Sequence, residues 1–240
     1  VVMTLQHIVW DGMTMSVLAR ELSAAYLTQE LPAPTWQVAD FAAEEQTSGH
    51  EGARTYWKGV FRDGVPQLAL PLEHEDSETG ARRDYRLSVA ADANLRSLAK
   101  EHRTTPFAVF IAAFHLALRV VTGQVRTVIG TTVANREQPG QDQLFGNFSN
   151  QIPLLLDGSA VLGTTFADLV ATTTTVISDA FRHKTLPTAE IAAAAGIDRS
   201  AGEELFSTMV LFLTQDIAGP QLPGVSCNWE LIDNKAALHP

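Results

Sequence analysis

Leu5-Gln6-His7-Ile8-Val9-Trp10-Asp11-Gly12-Met13-Thr14 is the stretch whose pattern decides how this chain is read. Ahead of it, Val1 to Leu5 is apolar and β-rich. From Gln6 to Gly12 that pattern breaks, and from Met13 to Tyr26 apolar residues resume at helical spacing, with Met15, Leu18, Leu22 and Tyr26 on one face. The order is strand, loop, helix, and Asp11 or Thr14 is placed to cap the helix. A histidine at a strand end, followed four residues later by Asp-Gly at a helix start, makes a reasonable acyl-transfer site. His7 can accept a proton from an attacking nucleophile or hold it by hydrogen bond, because imidazole titrates near working pH. Asp11 is a poorer base: in the turn it can cap orphan N–H groups or pair with an Arg to lock the loop. Gly12 removes a Cβ, which lets backbone approach a substrate and relieves strain in the turn. The same six residues also arise by chance, so their weight depends on the rest of the chain.

Working outward, Leu31-Pro-Ala-Pro34 ends the first helix, and Val38 to Glu45 and Ala53 to Phe61 read as two amphipathic helices with Trp57 on a buried face. Asp63 to Arg83 is rich in Pro, Gly and charge and reads as a linker between lobes. Beyond it the expected elements are a short strand Arg86 to Val89, a helix Asp92 to Glu101, and an apolar helix from Pro106 through Val121 with Pro in its first turn. A β-branched strand Val125 to Val133 and a strand Gln151 to Leu156 follow. Helices over Thr165 to Phe181 and Ala189 to Ala195, and a last strand Leu205 to Leu213, complete the pattern. Mixed strands and helices predict an α/β or α+β sandwich.

Composition bounds the function. The 240 residues suffice to bury a substantial core without a metal or disulfide staple. A net charge of −10 with no Lys/Arg run argues against nucleic acid as a partner. One cysteine, Cys227, excludes an internal disulfide and a multi-cysteine zinc site, suits a reducing, cytoplasmic compartment, and reads as filler. The apolar run Pro106 to Leu118 is shorter than the ~20 residues a bilayer span requires, so no membrane association is expected.

Several ordered blocks carry a resemblance to a family. The stretch from Leu5 to Tyr26 resembles the HHxxxDG region and following helix of nonribosomal peptide synthetase condensation domains, within the chloramphenicol acetyltransferase-like superfamily. Tyr56-Trp57-Lys58 looks like the family's short YW segment, and Pro106 to Gly123 resembles the helix before its second lobe's core strand. Gly130-Thr-Thr-Val-Ala-Asn-Arg136 matches the family's G-x-x-x-x-N-R strand end. Gly146-Asn-Phe-Ser-Asn150 with Ile152-Pro-Leu154 matches its G-x-F-x-N-x-x-P-L block.

The resemblance implies two chloramphenicol-acetyltransferase-like lobes in a V-shaped pseudo-dimer with a tunnel between them. Residues 1–70 would be the C-terminal part of the first lobe, 71–84 the linker and 85–240 an incomplete second lobe. It also implies peptide-bond-forming acyltransfer, with donor and acceptor peptidyl carrier proteins docking at the tunnel mouths, adjacent synthetase domains as neighbours, and phosphopantetheine arms supplied by the carriers. No intrinsic cofactor or metal is expected. Carried over, the second motif histidine falls on His7, the proposed catalytic residue; Asp11 is structural and Gly12 lines the tunnel. Asn135, Arg136 and Asn150 support the lobe interface or tunnel. The sequence departs from the pattern at Gln6, which stands where the first motif histidine would be, and in length. The family's earlier strands and an Arg partner for Asp11 are expected from a part of the domain not in this chain, so the 240 residues alone are expected to be inactive. Two alternatives stand beside condensation: an epimerisation domain of the same fold, disfavoured by the Gly146 to Leu154 block, and a non-catalytic docking platform.

Other signals are weak. Glu73-His74-Glu75 alternates in a charged segment without a third ligand or HExxH spacing, and Asn147-Phe-Ser149 fits a glycosylation sequon. His115 inside the apolar helix reads first as a core histidine.

Overall fold

The computed structural model describes residues 2–31, 33–34, 36–47, 49–71, 83–158, 165–213 and 218–227. Most of the predicted linker, and Glu73-His74-Glu75, lie outside them. Seven helices are described: α1 (Gly12–Tyr26), α2 (Val38–Thr47), α3 (Glu51–Val60), α4 (Val89–Glu101), α5 (Pro106–Thr122), α6 (Phe166–Arg182) and α7 (Thr188–Ala194). Three strands, β1 (Arg126–Val133), β2 (Asn150–Asp157) and β3 (Met209–Val210), form a sheet in the order β2-β1-β3.

The described residues fall into two compact units. One is drawn from Val1–His50, Val133–Asn150 and Leu213–Asp233, the other from Glu51–Thr132 and Gln151–Phe212. Each is discontinuous in sequence.

In the second unit the helix ends are written in the side chains. Thr105 Oγ1 accepts from Ala108 N at 3.2 Å, with Pro106 following at the first helical position where its missing N–H costs nothing. Gly123 closes α5 at φ 72°, a left-handed conformation that glycine enters without steric penalty. Thr165 and Asp168 cap α6 reciprocally. Helices α4, α5 and α6 pack around Ala99, Val109, Ala112, Leu169 and Val170. Trp57 is buried and donates Nε1–H to the His183 carbonyl at 3.1 Å, which satisfies its polar tip. Val128 and Ile129 of β1 and Ile152, Leu154 and Leu156 of β2 are also buried. His115 lies in this core at 1% exposure, its Nδ1 2.8 Å from Thr127 Oγ1 on β1, so α5 lies against the sheet.

Five expectations are corrected. Residues 2–6 form no strand: among the described residues they have no ladder neighbour, and a lone extended segment cannot pair its own N–H and C=O groups. Arg86 to Val89 is no strand either, because Ser88 Oγ accepts from Ala91 N at 3.1 Å and draws Val89 into α4 as its first residue. Leu205 to Leu213 shrinks to Met209–Val210, which pairs in parallel with Gly130 and Thr131. On α1, Thr14, Val17 and Ala19 are buried, while Leu22 and Tyr26 of the predicted face are exposed. Cys227, read as filler, is exposed too.

Candidate active site

His7 sits in a single turn of 3-10 helix, His7–Val9, rather than at a strand end. Gln6 starts that turn with its backbone: its carbonyl accepts from Val9 N at 3.0 Å, while its side chain makes no capping bond. Trp10 leaves the turn in an extended conformation, and Asp11 caps α1.

The cap is reciprocal. Asp11 Oδ1 accepts from Thr14 N at 2.9 Å, and Thr14 Oγ1 accepts from Asp11 N at 3.2 Å. Both alternatives left open by the sequence are thus realised together. Asp11 is also 3% exposed, and a buried carboxylate requires a counter-charge. Arg136 supplies it: Nη2 donates to Oδ1 at 3.0 Å and to Oδ2 at 3.1 Å, and the two side chains are only 2% and 5% exposed. Phe148 N adds a further donor to Oδ2 at 3.0 Å. The partner expected from outside the chain is therefore present within it, in the block that was assigned to the lobe interface.

Arg136 is itself fully employed. Nη1 donates to the carbonyls of Gln141 and Leu144, Nη2 reaches the Gly146 carbonyl at 2.7 Å, and the guanidinium lies 4.2 Å from the Phe148 ring centroid. Thr14 Oγ1 lies 2.6 Å from the Gly146 carbonyl and 2.9 Å from Asp11 Oδ1; it carries one proton, so it donates to one of the two at a time. Asn135, at φ 50°, turns the chain just before Arg136. Asn150 opens β2.

The same loop also touches His7. Asn147 Nδ2 donates to the His7 carbonyl at 3.0 Å, and Asn147 Oδ1 accepts from Ser149 N at 3.1 Å and Ser149 Oγ at 2.7 Å. The Asn-x-Ser pattern that reads as a sequon is thus an Asx turn. The His7 imidazole is exposed, with its ring centroid 4.9 Å from that of Trp10. Gly12 is the first helical residue and its φ is not positive, so the predicted relief of strain is absent; a Cβ there would meet open space, which leaves the approach over the helix start unobstructed.

Chemically, this arrangement offers one exposed imidazole on a loop fastened to a buried ion pair. Among the described residues no group of His, Cys, Asp and Glu is arranged to hold a metal ion, and no single helix is long and apolar enough to cross a membrane. The model of the Condensation domain family matches residues 1–221. The chain belongs to the condensation-domain family. Among curated relatives, tyrocidine synthase 3 of Brevibacillus parabrevis is 29% identical over 86% of this chain and 3% of its own length. Surfactin synthase subunit 1 of Bacillus subtilis is 27% identical over 85% of this chain and 6% of its own length. The first condensation domain of the calcium-dependent antibiotic synthetase, solved with a substrate analogue, superposes with a TM-score of 0.73 at 22% identity, covering 92% of this chain and 50% of that one. The X-domain from teicoplanin biosynthesis, solved in complex with OxyB, gives 0.68 at 22% identity over 81% of this chain and 46% of that one. The chain thus spans about half of the solved condensation domain and a few per cent of these curated synthetases, and the mixed helix-and-sheet fold is that of condensation domains.

Sequence reasoning missed Trp10, Thr14 as a ligand of Gly146, and Asn147. The signals for Trp10 and Asn147 were present as an aromatic three residues after His7 and an Asn two residues before a Ser.

Proposed function

We propose that this chain carries the histidine loop of a domain that forms a peptide bond between two carrier-bound substrates. The observation supporting this reading is the fastening of the His7 turn, through Asn147 and Asp11, to the loop that follows Arg136, which leaves the imidazole exposed while Asp11 is occupied by Thr14, Arg136 and Phe148. The donor is an acyl group held as a thioester on a carrier protein's phosphopantetheine arm. The acceptor's α-amine nitrogen attacks the thioester carbonyl carbon; the C–N bond forms and the C–S bond breaks. His7 takes the proton from the amine and returns it to the departing thiolate, so the products are an amide on the acceptor arm and a free thiol on the donor arm. Donor and acceptor carriers and adjacent synthetase domains are the partners, and the setting is the cytoplasm.

The test uses the full synthetase containing this chain, with both carriers loaded, and follows dipeptidyl thioester. His7→Ala should lower the rate about 10²–10⁴-fold, the usual weight of a proton-handling group; indistinguishable rates would refute the assignment. A second reading, a docking platform without chemistry, draws on Gln6 and on the likeness to an X-domain solved with a protein partner. It predicts no dipeptide from the unmodified protein, retained binding of a partner protein, and no gain from Gln6→His.

A further inference from the structure

We infer that Trp10 and Asn147 are positioning residues that hold His7 from two sides, Asn147 by its backbone and Trp10 by its ring. The inference rests on the proposed role of His7.

The orientation of Asn147 is fixed by its neighbours. A backbone N–H can only donate, so the amide atom 3.1 Å from Ser149 N is the oxygen, and Ser149 Oγ reinforces it at 2.7 Å. The other amide atom is then the NH₂ group, which points at the His7 carbonyl at 3.0 Å. That carbonyl is also approached by Trp10 N at 3.4 Å, a long bond closing the 3-10 turn, so Asn147 supplies the shorter of its two contacts. Asn147 stands between Gly146 and Phe148, whose carbonyl and N–H belong to the Arg136–Asp11 cluster. The His7 backbone is therefore tied to the buried Arg136–Asp11 cluster by one side chain.

The ring is restrained separately. Trp10 is partly buried, its Nε1 donates to the Leu5 carbonyl at 3.3 Å, and its indole lies 4.9 Å from the His7 imidazole with the planes inclined by 30°. An exposed histidine otherwise samples several χ1 rotamers. A flat neighbour on one face removes part of that freedom and leaves the ring edge with its nitrogens open. Both contacts span the turn that carries His7, so a shift in either displaces the imidazole, and misplacement by about 1 Å can cost on the order of 10²-fold in rate.

The experiment compares Asn147→Ala, Asn147→Asp, Trp10→Ala and Trp10→Phe in the full synthetase with loaded carriers, each with and without His7→Ala. Asn147→Asp keeps the acceptor for Ser149 but replaces the donor facing His7 with an oxygen; Trp10→Phe keeps a ring and loses the indole N–H. Asn147→Ala, Asn147→Asp and Trp10→Ala should each lower kcat about tenfold or more, with KM for the carriers unchanged, and Trp10→Phe should recover most of the Trp10→Ala loss. In the His7→Ala background all four should have no further effect, because groups acting through one residue are not additive with its removal. Thermal midpoints identify any variant that fails to fold, and Asn147→Asp, which keeps the acceptor for Ser149, then carries the test. If His7→Ala lowers the rate while Asn147→Ala, Asn147→Asp and Trp10→Ala do not, or if their losses persist undiminished without His7, the positioning role is overturned and the role of His7 stands. If His7→Ala itself has no effect, both fall.

Discussion

Replacing Arg136 by Met removes the charge and every hydrogen-bond donor while keeping much of the buried stem. In the native protein Arg136 serves Asp11 and, at the same time, the carbonyls of Gln141, Leu144 and Gly146. Removing one member of a buried ion pair typically costs about 3–5 kcal/mol, because the remaining charge is left without its partner. Two features bear on where in that range the variant falls. Asp11 keeps the backbone donors Thr14 N and Phe148 N, which reduces the loss. Three carbonyls lose a charged donor together, and hydrogen bonds to charged groups contribute about 1.5–3 kcal/mol each before compensation by water. We expect Arg136→Met to cost roughly 4 kcal/mol on these typical values.

The assay is urea unfolding of the wild type, Arg136→Met, Asp11→Asn and the double variant. The double variant should be less destabilised than the sum of the singles by at least about 2 kcal/mol, since the pair is in direct contact. The loss should change little with added salt, because a pair 2% and 5% exposed is poorly screened. A cost below about 1 kcal/mol for Arg136→Met, set against the range expected for a buried pair, or additive singles, would refute the view that this pair anchors the histidine loop.

Two further perturbations test the second unit. A Cβ at Gly130 would lie 2.5 and 2.6 Å from Phe206 ring carbons and 2.9 Å from Met209 Cγ, so Gly130→Ala should cost about 1–3 kcal/mol and raise amide exchange at the β1–β3 pairing; unchanged exchange would show the ring moves freely aside. His115 is held below its ordinary value of 6.5, first by burial and then by the Arg119 charge, with Asp157 opposing. Below that value the unfolded chain binds the proton more readily than the folded one, so this contribution to stability is complete above about pH 6.5 and declines as the pH falls. The urea midpoint should therefore drop between pH 7.5 and 5.5, and drop less in His115→Gln; equal slopes in the two proteins would refute the assignment to His115.

What the sequence disclosed follows from how local the deciding forces are. Helices α2 to α7 were legible because capping residues and apolar spacing act within a few positions: Thr105-Pro106 and Gly123 bracket α5, and Thr165 opens α6. Strands were legible where they are buried, as in β1 and β2, and illegible where β-rich composition lacks a neighbour, as at 2–6 and 86–89. Composition supplies a preference for extended backbone, and pairing supplies the strand. At the site, the motif identified Asp11 as structural and the block near 130–136 as significant, but nothing local links two residues 125 positions apart. The requirement that a buried carboxylate find a cation was available; which Arg would meet it was not.

The geometry also separates two questions that the motif alone runs together. Asp11 Oδ1 receives Thr14 N and Arg136 Nη2, and Oδ2 receives Phe148 N and Arg136 Nη2, so the carboxylate cannot hold a substrate proton without surrendering one of these bonds. On the proposed reading, proton transfer at this loop is therefore assigned to His7 and not to Asp11. Gln6 stands on the other side of that division. The turn uses its carbonyl, which any residue supplies, and its side chain caps nothing. A glutamine at this position therefore leaves the loop's backbone contacts as they are. For the same reason Gln6→His changes the chemistry offered at that position with little reason to disturb the loop, so a rate gained by that change would be attributable to the imidazole itself.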